Sequence, residues 1–241
     1  MAREPYRRIE ADRVELTAVK LADRVTERFP GAGLAAVAAE LVVLTRQTAA
    51  RARTVARPYY GLRLLVALVI AAGLAAEAVL FDRFGWGILD PDANPLDLAQ
   101  GVDSAFNLFL MTAAGAWFLL TLEARWKRLR LQTWLNELRA FAHVVDMHQL
   151  TKDPTAKGGP RTTSSPDRGM GAFELTRYLD YCAEILALTG KLTAIYAGVS
   201  PDHLVIAAAG DVENLCSDLN RKIWQKITIL AELKGEEGLE A

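Results

Sequence analysis

The sequence predicts an all-α integral membrane protein, in which a hairpin of two transmembrane helices joins a cytoplasmic helical bundle with coiled-coil-like extensions. Two long apolar stretches, residues 62–81 and 106–122, predict the hairpin. Basic residues lie before the first stretch and after the second, whereas aspartates lie between the two stretches. Elsewhere apolar residues recur at helical spacing, and no segment shows the alternation typical of a strand.

Both apolar stretches are long enough to cross a bilayer. A spanning helix needs about 20 mostly apolar residues, with about 17 as the lower limit. The first stretch contains only two charged residues, Arg63 and Glu77, and the second contains none. Apolar runs of this length are uncommon in soluble cores, so we favour two spans over two buried core helices.

The charges beside the spans predict their orientation. The basic residues next to them are Arg46, Arg51, Arg53, Arg57 and Arg63 before the first span and Arg125, Lys127, Arg128 and Arg130 after the second. The connecting loop, residues 82–103, holds one arginine and five aspartates. Because short basic flanks stay in the cytoplasm, both termini are expected inside and the loop outside. Arginine outnumbers lysine by 20 to 8, which favours a bacterial inner (plasma) membrane.

Seven segments follow from this topology. We also expect no cleavable signal peptide, because the first apolar segment begins near residue 60. The segments are a cytoplasmic helical hairpin (1–57), transmembrane helix 1 (58–81), an extracytoplasmic loop (82–103), transmembrane helix 2 (104–123), a cytoplasmic helix extension (124–151), a flexible linker rich in Gly, Pro, Ser and Thr (152–171), and a C-terminal helical hairpin with a tail (172–241).

Apolar stripes predict which faces of the N-terminal helices are buried. In a helix over residues 5–29 the expected buried side holds Ile9, Leu16, Val19 (or Lys20), Ala22 and Val25. In a helix over residues 34–57 it holds Leu34, Val37, Leu41 and Leu44. Spacings of three and four residues place such side chains on one face.

The remaining helices are predicted in the same way. One uninterrupted helix is expected over residues 103–150, with Leu131, Trp134, Leu138, Phe141 and Val145 packed inside. A second covers residues 172–197, with a stripe formed by Leu175, Tyr178, Leu179, Cys182, Leu186, Thr189, Leu192 and Tyr196. A last helix is expected from an N-cap at Ser200 to Lys234, with Gly235 as its stop. Its stripe contains Cys216, Leu219, Ile223, Ile227 and Leu230.

The expected partners are the lipid bilayer and other protein chains. Arg51, Arg53 and Arg57 lie directly against the first span, where anionic lipid headgroups are better partners than nucleic acid. A homo-oligomer or a protein partner is expected for the bundle. Cys182 and Cys216 are expected as buried, unpaired thiols, because the cytoplasm is reducing.

No motif predicts catalysis, a metal or a cofactor. His143 and Asp146 share a helix face, but His148 lies five positions after His143 and does not converge with it. The HExxH motif of zinc enzymes places its histidines four apart. Residues 189–193, TGKLT, lack the earlier glycine and the preceding strand of a phosphate-binding loop.

Glu77 is the ionisable residue whose position most indicates function. Charged groups inside a span are costly and usually face a bundle interior or a water-filled cavity. It lies close to the outer edge, however, so its carboxylate can also reach the headgroups. Ala67, Ala71 and Ala75 form a row of small residues that allows close helix packing.

Three function classes remain open at this stage. The leading one is a non-enzymatic membrane protein that acts through protein–protein contacts of its bundle, as a scaffold, an assembly factor or a signal relay. The first alternative is an oligomeric pore or transport component with Glu77 facing the pathway. The second is a membrane-bound sensor or metal-dependent enzyme that uses His143 and Asp146.

Overall fold

The computed structural model describes residues 9–84, 95–152, 154, 163–164 and 169–237, and every regular element within them is helical. This confirms the all-α class and the absence of strands from the described residues. The α-helices within these described residues are α1 (Ala11–Arg28), α2 (Gly33–Ala56), α3 (Tyr60–Phe84), α4 (Pro95–Leu120), α5 (Leu122–Leu150), α6 (Ala172–Gly198) and α7 (His203–Glu237).

The chain forms two compact units. One, the bundle, comprises Met1–Ala56 and Arg130–Ala241 and therefore contains α1, α2, most of α5, α6 and α7. The other, the hairpin, comprises Arg57–Leu129 and contains α3, α4 and the first turns of α5.

Helix α6 lies at the centre of the bundle. It packs along α7, and α1 and α2 pack on each other and on α6. All eight residues of its predicted stripe are buried, and Leu179, Cys182 and Tyr196 are fully enclosed. The predicted stripe of α2 is also buried. In α5 and α7 the predicted residues are buried except for Trp134 and Ile227, which are partly buried.

The predicted face of α1 is wrong at Leu16 and Ile9. Leu16 is 58% exposed and Ile9 is 47% exposed. The buried residues are instead Val14, Ala18, Leu21 and Val25. These four recur at intervals of four, three and four, so the helix turns a neighbouring face to its partners.

Several helix ends differ from the predicted ones. Helix α7 begins at His203, because the Asp202 carboxylate accepts a hydrogen bond from the Leu204 N–H at 2.9 Å and so forms the N-cap in place of Ser200. The same helix continues through Gly235 to Glu237. Parts of the predicted first helix (residues 5–8) and of the predicted linker (153, 155–162 and 165–168) lie outside the described residues.

The hairpin helices are longer than predicted at the ends next to the segment that connects them. Helix α3 runs to Phe84 and α4 begins at Pro95, so only residues 85–94 of the predicted loop lie outside the described residues. A proline is well tolerated in the first turn of a helix because its missing N–H has no partner there anyway.

One break interrupts the long helix predicted over residues 103–150. It falls at Thr121, between α4 and α5. The backbone hydrogen bonds still continue, since Thr121 N–H donates to Trp117 and Thr121 C=O accepts from Arg125. The Thr121 hydroxyl also donates to the carbonyls of Trp117 and Phe118, a type of contact that bends helices.

The apolar surface of the hairpin is exposed. Both of its helices are long and apolar enough to cross a membrane, and none of the most apolar stretch in either is buried. Large side chains such as Leu68, Phe109 and Trp117 are 59%, 68% and 70% exposed. A buried core helix of a soluble protein would have its apolar side chains covered.

Candidate functional site

A charged cluster joins the start of α3 to the first turns of α5. We define the Glu123 cluster as Tyr59, Arg63, Glu123 and Lys127. The Glu123 carboxylate accepts hydrogen bonds from Arg63 Nε at 2.6 Å and from the Tyr59 N–H at 3.2 Å. Lys127 Nζ lies 2.8 Å from the same carboxylate and also donates to the Arg57 carbonyl at 2.9 Å.

The local sequence explains this cluster. Glu123 and Lys127 are four residues apart on α5, the favourable order for an ion pair along a helix. The Lys127 ammonium also lies 5.0 Å from the centre of the Tyr59 ring. Only 13% of the Glu123 side chain is exposed, whereas 60% of the Arg63 side chain is exposed. The cluster therefore holds two helices together and still presents a positive group outward.

Glu77 contacts the other helix of the hairpin. The Thr112 hydroxyl of α4 donates a hydrogen bond to its carboxylate, and both side chains are partly buried. Thr112 was not anticipated from the sequence. Its hydroxyl within an apolar stretch could have indicated the contact, because helices in membranes use such groups for hydrogen bonds to neighbouring helices.

A second polar cluster lies inside the bundle. We define the Arg51 cluster as Thr48, Arg51, Trp134, Glu137 and Tyr196. Arg51 Nη1 lies 2.5 Å from the Glu137 carboxylate, and its guanidinium lies 5.3 Å from the centre of the Trp134 ring. The Trp134 ring in turn stacks on Tyr196 with centroids 5.6 Å apart.

Burial and contacts with neighbouring side chains act in opposite directions on the pKa values of this second cluster. It raises the pKa of Tyr196, while the neighbouring Thr48 and Arg51 act in the opposite direction. The Tyr196 hydroxyl is enclosed and has no hydrogen-bond partner of good geometry among the described residues. Burial would lower the pKa of Arg51, but the contacts with Glu137 and Tyr196 outweigh it and the pKa is raised. Contacts inside the bundle therefore stabilise the charged form of Arg51.

The three arginines assigned to lipid headgroups have different surroundings. Arg51 is paired within the bundle, as described above. Arg53 lies 4.0 Å from Asp12, in a contact whose side chains are 67% and 88% exposed. The Arg57 side chain is also exposed. Arg53 and Arg57 are therefore the more accessible of the three.

The structure does not bring His143, Asp146 and His148 together as a site. His143 is exposed, while Asp146 accepts a hydrogen bond from Gln149 at 2.5 Å. Gln149 in turn accepts from Lys226 Nζ at 2.6 Å. The His148 ring lies against Gly33 at the start of α2. In the described part of the chain, no three His, Cys, Asp or Glu residues are grouped so as to hold a metal ion.

The two cysteines are buried free thiols. Burial raises the pKa of Cys182 to about 12 and that of Cys216 to about 11. Both thiols are consequently protonated at neutral pH, the form that reacts slowly. The TGKLT segment lies within α6, where the Thr189 hydroxyl donates to the Ile185 carbonyl and Lys191 Nζ to the Ala187 carbonyl.

No family model matches this chain, and neither the curated proteins nor the solved structures include a significantly similar one.

Proposed function

We propose that this chain is a two-span protein of a bacterial inner membrane that acts through protein–protein contacts of its bundle. The observation that carries the membrane part is the exposed apolar surface of α3 and α4. Covering that surface with lipid removes it from water at a gain of about 25 cal/mol per Å². A soluble monomer would leave it in contact with water.

The proposed topology places both termini in the cytoplasm. Its support is the basic residues beside the two spans and the aspartates of the connecting segment. The Glu123 cluster lies on the side of these basic flanks, at the level where charged side chains meet headgroups.

The proposed contact surface is the exposed side of α5. Val144, Met147 and Leu150 recur at intervals of three residues and are 41%, 67% and 61% exposed. Contiguous exposed apolar side chains rimmed by polar ones are typical of protein-interaction surfaces.

A photo-crosslinking amino acid at position 147 tests the contact proposal in native membranes. We expect a discrete cross-linked product, containing either a second copy or one partner. The same amino acid at Lys222, an exposed residue of α7, is the matched control and should give little product. A Val144→Asp substitution should weaken the product from position 147. Equal cross-linking from both positions, or none from either, would contradict the proposal.

The contact of Glu77 with Thr112 favours a role within the hairpin over the pore alternative. Its carboxylate accepts a hydrogen bond from the same chain, so it is already engaged across the two helices. We therefore propose that Glu77 helps to pair the spans.

A further inference from the structure

An apolar groove with a charged rim lies between α3 and α4. It is a cleft of about 350 Å³ in the first turns of α3 and the last turns of α4. Its walls are Leu62, Val66, Ala67, Leu119 and Leu120. Arg63 and Glu123, two members of the Glu123 cluster, complete its lining.

The charges at this rim favour an anion. The single carboxylate of Glu123 lies against both Arg63 and Lys127, so the cluster has one positive charge in excess. Arg63 keeps 60% of its side chain exposed despite its contact with Glu123. Arg57 is an exposed cation whose backbone lies next to the cluster, since its carbonyl accepts a hydrogen bond from Lys127.

We propose that this groove binds one anionic phospholipid. The phosphate lies at Arg63 and Arg57, whose guanidinium groups match its oxygens in charge and shape. The first methylenes of one acyl chain pack against Val66 and Ala67. This inference rests on the proposed membrane insertion, since it needs the groove to open toward lipid.

The combination of an apolar wall with a basic rim selects the occupant. A free phosphate would bind the rim but leave the apolar wall in water. A zwitterionic lipid would fill the wall but bring a cationic choline to an already positive rim. An anionic lipid satisfies both, with about 1 kcal/mol from each basic residue near the headgroup.

Mass spectrometry of the intact chain, released from detergent micelles, measures this binding. The probes are phosphatidylglycerol and phosphatidylcholine with identical acyl chains. We expect one phosphatidylglycerol to be retained, at least five-fold more than phosphatidylcholine. Arg57→Gln should lower this preference about five-fold. Ala67→Phe should abolish retention by filling the groove, whereas Leu68→Phe, which changes a 59% exposed residue outside the groove, should not.

Three outcomes would overturn the inference while leaving the proposed function intact. The first is equal retention of the two lipids by wild type. The second is unchanged retention by both Ala67→Phe and Arg57→Gln, and the third is binding of glycerol 3-phosphate as strong as that of the lipid. Extraction of the wild-type chain from membranes by alkaline carbonate is measured in parallel. Release of the chain would contradict membrane insertion and therefore the proposed function as well.

Discussion

At the scale of single residues, two arginines that lie two positions apart on α2 have different roles. Arg51 pairs with Glu137 and lies over the Trp134 ring, and 27% of its side chain is exposed. Arg53 has only a 4.0 Å contact with Asp12, and 67% of its side chain is exposed. The sequence predicted the same lipid-facing role for both, because local spacing carries no information about the residues that α5 and α6 bring to Arg51.

This difference predicts unequal effects on stability. Arg51→Ala should lower the free energy of unfolding by about 1–2 kcal/mol, because it removes an ion pair and a cation–π contact. Arg53→Ala should change it by less than about 0.5 kcal/mol, as is usual for exposed positions. Urea unfolding of the two variants in the same detergent compares them directly. Equal losses in the free energy of unfolding would contradict the different roles of the two arginines.

At the scale of elements, the buried stripes of α2 and α6 could be predicted from the sequence, but not every face or end. Spacing identified those stripes because apolar side chains recur in them mostly at intervals of three and four residues. In α6 burial extends beyond the stripe, for example to Ile185 and Leu188. The face of α1 was wrong because the buried row includes the small Ala18, and Leu16 lies on a different side of the helix from it. The N-cap at Asp202 was missed because Ser200, Pro201 and Asp202 offer two capping side chains in one turn.

The start of α2 and the end of α5 meet at a close contact. A Cβ atom on Gly33 would lie 2.6 Å from the His148 ring, so Gly33→Ala should displace that ring. In a His148→Ala background this clash is absent, and φ at Gly33 is not positive, so alanine fits the backbone there. Gly33→Ala should then raise the free energy of unfolding by about 0.4–1 kcal/mol, because alanine reduces the conformational entropy of the unfolded chain. A double-mutant cycle of thermal midpoints measures the difference. Additive effects would contradict the contact.

A polar contact joins α3 and α4 in their apolar part. Thr112→Val keeps the shape of the side chain but removes the hydroxyl that donates to Glu77. We expect it to weaken pairing of the spans by about 0.6 kcal/mol, the average for hydrogen bonds between membrane helices. Ala113→Val is the matched control, since it adds volume without removing a donor. Unfolding in mixed micelles gives both values, and an equal effect of the two would exclude a role for the Glu77 contact.

At the scale of the whole molecule, the two units follow from where apolar residues are placed. In the bundle most of the large apolar residues are buried by packing, although some, such as Met147, stay exposed. In the hairpin they surround α3 and α4, and most of those in the described residues are exposed, whereas Val66 is buried. Sequence alone predicted this contrast. The two polar clusters depend on contacts between distant segments, such as Arg63 with Glu123, and so emerged only from the fold.

Labelling with a membrane-impermeant maleimide tests the proposed topology most directly. The native thiols interfere little, because burial raises the pKa of Cys182 to about 12 and that of Cys216 to about 11. A cysteine introduced as Asn94→Cys should react in intact cells, and one introduced as Ser217→Cys, an exposed position of α7, only after permeabilisation. Reaction of Asn94→Cys only after permeabilisation, or of Ser217→Cys in intact cells, would contradict a hairpin with both termini in the cytoplasm.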